Sequence, residues 1–323
     1  MKTVLERQSP INAALQEVNA AFDAEVRSDL RFVAALLDQV RSYRGKLLRP
    51  RLLLLTAEAV GRIRREHIVL GAVVEMVHMA TLVHDDVLDE ADVRRRSRSV
   101  NRTVGNEGAV LLGDYLISHA YHLCSSLGST RASRRIAAVT NTVCEGELMQ
   151  IARRGDLALS EADYLEIIRR KTAALTSVCC ELGAETAGAD QSAVENMTAF
   201  GMDLGVAFQI VDDVLDLTAT ENETGKSVGR DADMGKLTLP MIRFLQGANE
   251  GDRERFRAAL SSDHGERAAR VGSLLNGTGA IEYAMEAARS YIVSATSHLS
   301  NLADGWAREE LFTTADFVIR RRQ

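Results

Sequence analysis

Two stretches of this sequence gather carboxylates at a spacing suited to hard cations. The first runs His78-Met-Ala80-Thr81-Leu-Val-His84-Asp85-Asp86-Val-Leu-Asp89, and the second runs Phe208-Gln209-Ile-Val-Asp212-Asp213-Val-Leu-Asp216. Each contains Asp-Asp-x-x-Asp and each is entered from an apolar segment. Read as a helix at about 100° per residue, His78, Leu82, Asp85 and Asp89 fall on one stripe, with Thr81 beside it. Acids one turn apart start about 5–6 Å apart at Cβ, close enough to hold a hard cation and badly placed without one. A single acidic cluster is as readily a solvated helix face. Two copies, both following apolar runs, favour metal chemistry, because Asp is rarely buried unless paired or metal-bound.

Cationic residues stand at several points that could serve an anionic substrate. Arg44-Gly45-Lys46-Leu47-Leu48-Arg49-Pro50 is a basic turn leading into Leu52–Leu55. Pro50 suits a first helical turn, so Lys46 and Arg49 sit at a helix entrance whose free N–H groups also attract anions. A basic cap facing solvent is an equal reading of that turn alone. Arg94-Arg95-Arg96-Ser97-Arg98 reads as a loop after the first acidic motif. Lys171-Thr172 enters an Ala/Ser/Cys-rich helix, where an ammonium and a hydroxyl can meet an anion or a developing positive charge. The stretch from Thr224 to Pro240 carries Lys226 and Lys236 among glycines. It lacks the G-x-x-x-x-G-K-[ST] spacing of a P-loop, and a lid that brings Lys226 onto phosphate explains it better.

The elements that must position these groups are helices. Only three prolines occur and aromatic residues are 5% of the chain, while Ala, Leu, Glu and Arg dominate. Hydrophobic residues at 46% supply a core, and no linker or shift of composition divides residues 1–323, so one all-α domain is expected. Residues 11–40 alternate as two amphipathic outer helices. The stretches from Leu111 and from Val139 to Ile151 read as core walls. The four cysteines lack C-x-x-C spacing and read as reduced thiols in a cytoplasmic protein. The apolar run Ile68–Val83 is interrupted by Glu75 and His78, so no transmembrane segment is expected. A net charge of −6 argues against nucleic acid as a partner.

In combination and in order, the Gly-Lys-x-x-Arg-Pro turn, both Asp-rich motifs, the arginine pair, Lys-Thr, Phe-Gln and the lysine loop resemble the trans-isoprenyl diphosphate synthases, most closely their long-chain polyprenyl branch. The likeness covers nearly the whole chain. It implies an isoprenoid synthase-type bundle of long helices around a deep cavity, working as a homodimer. It further implies that Asp85, Asp89 and Asp212 ligate a three-ion Mg²⁺ cluster, for which Mn²⁺ could substitute, with Asp86, Asp213 and Asp216 supporting it. Arg94, Lys171, Lys226 and Lys236 would hold the allylic diphosphate, and Lys46, Arg49, His78 and Arg95 would hold isopentenyl diphosphate. Thr172, Gln209 and the Lys171 carbonyl would face the carbocation. Val77, Ala80 and Thr81, none of them aromatic, would leave the path of the growing tail open and so imply a long product, released with transient membrane contact. The chain departs from the family at Arg44, Leu47, Arg96 and Ser97, which puts the stiffness of two substrate loops in question.

Three rival readings fit parts of the sequence. A metal phosphohydrolase of the His-Asp type would need further paired histidines, which His67, His119, His122, His264 and His298 do not provide. A head-to-head prenyl synthase would not need the basic turn. A non-catalytic subunit of a heteromeric synthase is the remaining alternative, opposed by two intact acidic motifs.

Overall fold

A computed structural model of the protein describes residues 10–94, 97–218, 229–263 and 266–321. It is all-α, as the composition predicts, apart from one small hairpin. In chain order the elements are α1 (Ile11–Glu25), α2 (Arg31–Ser42), α3 (Leu48–Val60), α4 (Arg65–Leu88), β1 (Val93–Arg94), β2 (Ser97–Arg98), α5 (Val100–Ser125), α6 (Thr130–Ala152) and α7 (Glu161–Ile168). A π-helical turn, Arg169–Ala173, leads into α8 (Ala174–Ala187) and α9 (Gln191–Thr218). After these come α10 (Arg230–Asp233), α11 (Leu239–Gly247), α12 (Glu250–Leu260), α13 (Arg267–Leu275), α14 (Ala280–Ser297) and α15 (Trp306–Arg320).

Local chemistry sets several of the boundaries. The Ser160 hydroxyl accepts the Asp163 N–H at the start of α7, and Asn249 accepts that of Asp252 at the start of α12. Both caps satisfy backbone donors left open in a first helical turn, and both turns carry acids at the positive end of the dipole. Leu47 adopts a left-handed conformation (φ 52°) just before α3. Within the arginine-rich stretch after α4, expected as a loop, the described residues Val93–Arg94 and Ser97–Arg98 instead pair antiparallel, with Val93 opposite Arg98 and Arg94 opposite Ser97. Two-residue strands leave little signal in a sequence.

Residue contacts divide the chain into two compact units. One contains the chain up to Asn141, Leu175–Gly201 and His298–Thr314; the other contains Thr142–Ala174, Met202–Ser297 and the chain from Ala315. In the first unit α4 is the core helix, packed by α1, α3 and α5. It is long and apolar enough to cross a membrane, yet 78% of its apolar window is buried by these neighbours. Three of its ionisable residues, His67, Glu75 and Asp86, are buried as well. The His67 ring bridges the Arg64 N–H and the Gly183 carbonyl, and burial pulls its pKa down, so the imidazole is neutral. In the same unit the buried Arg51 of α3 is held by Glu310 of α15 at 2.7 Å. In the second unit α11 packs on α7, α13 and α14.

Candidate active site

In the first unit, α4 runs to Leu88, and the Asp89 N–H donates to the Asp85 carbonyl at 2.8 Å, so the predicted register of the two acids holds. Asp85, Asp86 and Asp89 therefore crowd the C-terminal end of a helix whose last turn contains no basic residue. That end carries the negative pole of the dipole, so carboxylates there call for a cation. His84 is fixed beside them: its Nε2 lies 3.1 Å from the Val110 carbonyl and 3.6 Å from Asp114. The ring sits against Gly113, where any Cβ would come within 2.1 Å of Nε2.

Asp86 has a different setting from Asp85 and Asp89. It is fully buried, and its Oδ1 receives Arg94 Nε at 2.7 Å and Nη2 at 2.6 Å. Burial alone would lower the Arg94 pKa, but the Asp86 carboxylate outweighs it and raises it. The Asp86 carbonyl accepts Asn101 Nδ2 at 3.0 Å, while Oδ2 is buried with no hydrogen-bond partner. The hairpin thus hangs Arg94 directly beneath the first acidic motif. Arg95 lies outside the described residues.

The second unit holds the other motif on α9, again at a C-terminal end with no basic residue in its last turn. Asp213 is buried, with Tyr164 Oη donating to Oδ2 at 2.6 Å and Gln209 Nε2 to Oδ1 at 2.8 Å. The other end of the Gln209 amide accepts Thr172 Oγ1 at 2.8 Å. Burial, and then the charge of Asp231, push the Asp213 pKa well up against these two hydrogen bonds. Asp216 is likewise pushed up to about 7 by burial and Asp231, although it accepts the N–H groups of Gly229 at 3.1 Å and Asp231 at 3.0 Å. Asp216 so caps the start of α10. Asp212 is ion-paired with Arg321, whose guanidinium also lies 3.9 Å from the Phe208 ring centroid.

Lys171 and Thr172 lie in the π-turn rather than in regular helix. Lys171 Nζ donates to Gln150 Oε1 at 2.7 Å and is ion-paired with Glu147, both on α6. Lys236 is buried directly after α10, and its N–H donates to the Asp231 carbonyl at 2.8 Å. Lys226 lies outside the described residues. Lys46 is exposed and Arg49 and His78 are partly buried, all in the first unit. Of the proposed tail-path residues, Val77 and Ala80 have no exposed surface. Thr81 is partly exposed, and its hydroxyl donates to the His78 carbonyl at 2.8 Å.

Each acidic motif by itself offers what a hard divalent cation needs. Carboxylate oxygens crowd a helix C-terminus in each unit, and in the second unit burial and the neighbouring Asp231 charge raise the pKa of Asp213 and Asp216. The family model described as polyprenyl synthetase matches residues 31–276. The chain belongs to the polyprenyl synthetase family. It is an enzyme of the trans-prenyl synthase class, a class that generally depends on Mg²⁺. This synthase is 32% identical to octaprenyl diphosphate synthase of Escherichia coli (strain K12) over 94% of each chain. It is 31% identical to heptaprenyl diphosphate synthase component 2 of Bacillus subtilis (strain 168), over 97% of this chain and 89% of that one. The crystal structure of a decaprenyl diphosphate synthase from Rhodobacter capsulatus superposes with a TM-score of 0.90 at 34% identity, over 97% of both chains.

Sequence reasoning missed several supports of the synthase's site. Glu147 and Gln150 lie in a stretch read as core wall, yet they hold Lys171. A Glu and a Gln three residues apart, directly after Gly146 in an apolar helix, were the available signal. Tyr164, Asp231 and the placement of Arg321 on Asp212 left no local pattern, because each meets its partner across the fold of the chain.

Proposed function

We propose that this synthase condenses isopentenyl diphosphate head-to-tail with an allylic diphosphate of farnesyl or geranylgeranyl type, giving a long all-trans polyprenyl diphosphate of about octaprenyl length. The observation that carries this reading is that both Asp-x-x-Asp clusters end buried helices at the negative dipole pole, without a basic residue in either last turn. Such ends bind cations that bring their own anionic ligands. Asp85, Asp89 and Asp212 are the proposed Mg²⁺ ligands, for a three-ion cluster in which Mn²⁺ can substitute. Asp86, Asp213 and Asp216 support them through Arg94, Gln209 with Tyr164, and the start of α10. Bound Mg²⁺ would neutralise the charge that develops on the departing diphosphate.

The chain's own groups do the rest. Arg94, Lys171, Lys226 and Lys236 hold the allylic diphosphate, and Lys46, Arg49, His78 and Arg95 hold isopentenyl diphosphate. The Thr172–Gln209–Asp213 chain of hydrogen bonds aligns dipoles toward the forming cation. Exclusion of water protects that cation until a proton leaves to the released diphosphate. Long product length is supported by Ala80 and Thr81, which carry no aromatic ring, and by the octaprenyl and decaprenyl relatives. A homodimer would cover the exposed Val110, Leu111 and Tyr121 of α5. A cytoplasmic enzyme with transient membrane contact at product release completes the reading.

A second reading is favoured by the name of the Bacillus subtilis relative, a component of a synthase. On that reading the chain works only with a partner chain. Purified protein given Mg²⁺, labelled isopentenyl diphosphate and farnesyl diphosphate separates the two. A ladder of dephosphorylated products ending near octaprenol supports the first reading; product formed only after a second chain is added supports the other. Asp85→Ala and Asp212→Ala should each lower turnover by several orders of magnitude while the fold stays intact, and near-normal rates at saturating Mg²⁺ would remove the metal assignment.

A further inference from the structure

Resting on the prenyl-transfer reading above, we propose that Tyr43 is a positioning residue that ties the basic turn of the isopentenyl side to the first acidic motif, with Arg44 as the anchor that fixes the turn's other side. Tyr43 is fully buried immediately before the turn that carries Lys46 and Arg49. Its hydroxyl accepts the Val100 N–H at 2.8 Å, a donor at the open first turn of α5. The phenol stands beside the buried Asp86–Arg94 pair, and burial together with the Asp86 charge pushes its pKa up to about 12, so it remains a neutral phenol. Asp86 Oδ2 has no hydrogen-bond partner of its own. Tyr43 thus stands at the entrance to the basic turn and holds the start of α5 at Val100, where the next residue, Asn101, donates to the Asp86 carbonyl at 3.0 Å.

Arg44 secures that turn from outside. Its Nη2 donates to Asp23 Oδ1 at 2.6 Å and its Nη1 to Oδ2 at 3.1 Å, a bidentate pair that Arg41 Nε joins at 2.9 Å. The guanidinium also lies 4.2 Å from the ring centroid of the buried Phe22. A fork held by two carboxylate oxygens and an aromatic face has little freedom left. Where the resembling family has glycine at this turn, this chain has a residue bolted to α1. The turn is preset rather than folded around its ligand, and Tyr43 couples it to the acidic motif.

Steady-state kinetics of full-length wild type, Tyr43→Phe and Arg44→Ala test this, with isopentenyl and farnesyl diphosphate each varied at fixed Mg²⁺. Tyr43→Phe keeps the buried ring and removes one buried hydrogen-bonding group, so both KM values should rise about five- to tenfold while kcat stays within about threefold. Arg44→Ala should raise the KM for isopentenyl diphosphate alone, also by about five- to tenfold. A drop in Tm with both KM values unchanged in either variant shows a purely structural role and overturns the proposal. Equal rises for both substrates in Arg44→Ala overturn it too, since the anchor would then not be specific to one side. A wild type that extends no allylic diphosphate is a failure of the prenyl-transfer reading itself, and is seen before any variant is compared.

Discussion

Gly146 of α6 and Lys171 of the π-turn meet backbone to backbone: a Cβ on residue 146 would stand 2.5 Å from the Lys171 backbone nitrogen and 2.8 Å from the Arg170 Cβ. The absent side chain lets the turn settle onto α6, where Glu147 and Gln150 reach the Lys171 ammonium. Gly146→Ala should therefore push the turn away and misalign Lys171 and Thr172 together. We expect kcat to fall more than about tenfold, with a stability loss of about 1–3 kcal/mol typical of overpacking. Unchanged kcat beside a lowered Tm would show that the close approach matters for packing alone.

Arg321 supplies the counter-charge of Asp212 in the structure described. A guanidinium and a divalent cation compete for the same carboxylate, so Arg321→Ala should lower the Mg²⁺ concentration needed for half-maximal binding, by about threefold or more. Calorimetric titration with Mg²⁺ and inorganic diphosphate measures this directly. A higher Mg²⁺ requirement would instead make Arg321 a support of the loaded site.

Proton linkage at the second acidic motif gives a pH prediction. Asp216 is raised from 3.8 to about 7 by burial first and by Asp231 second. A carboxyl raised on folding favours the native state when protonated, so its contribution is full below the unfolded value and is lost as pH climbs through about 7. Metal-free protein should lose thermal stability between about pH 4 and 7 from this group. Because Mg²⁺ held by the proposed ligands beside Asp216 favours its ionised form, the rise in Tm on adding Mg²⁺ should be larger at pH 8 than at pH 6. Equal Mg²⁺ shifts at both pH values would contradict the assignment.

Product length tests the tail path. Ala80 has no exposed surface, whereas Thr81 one residue later has some. Thr81→Phe should shorten the product ladder with the fold preserved, and chromatography of dephosphorylated products reads the change. Ala80→Phe should also cost about 1–3 kcal/mol, since a ring there must displace its neighbours. An unchanged ladder in Thr81→Phe would move the tail to another face of α4.

The helices and both acidic motifs were legible because their signals are local: repeated residue types, periodic apolar positions and few helix breakers. Asp85 and Asp89 were readable as a pair from spacing alone. What separates Asp86 from them was not, since it depends on Arg94 folding back in a hairpin. Lys171 stood out by type, but its partners Glu147 and Gln150 are set by a π-turn, whose wider helical repeat leaves no mark in composition. Arg321 could be noticed only as part of a basic tail. Its seat on Asp212 belongs to tertiary structure, as does the bond from Tyr164 to Asp213.

His84 and Gly113 carry a different consequence. The imidazole fills the volume that any side chain at 113 would claim, with a Cβ there falling 2.1 Å from Nε2. Neither position can drift by itself without cost: a larger residue at 113 becomes tolerable only once the ring at 84 has shrunk. The two sites are thus expected to covary as one unit of inheritance, and a lineage that loses the glycine should be found to have given up the histidine beside the first aspartate as well.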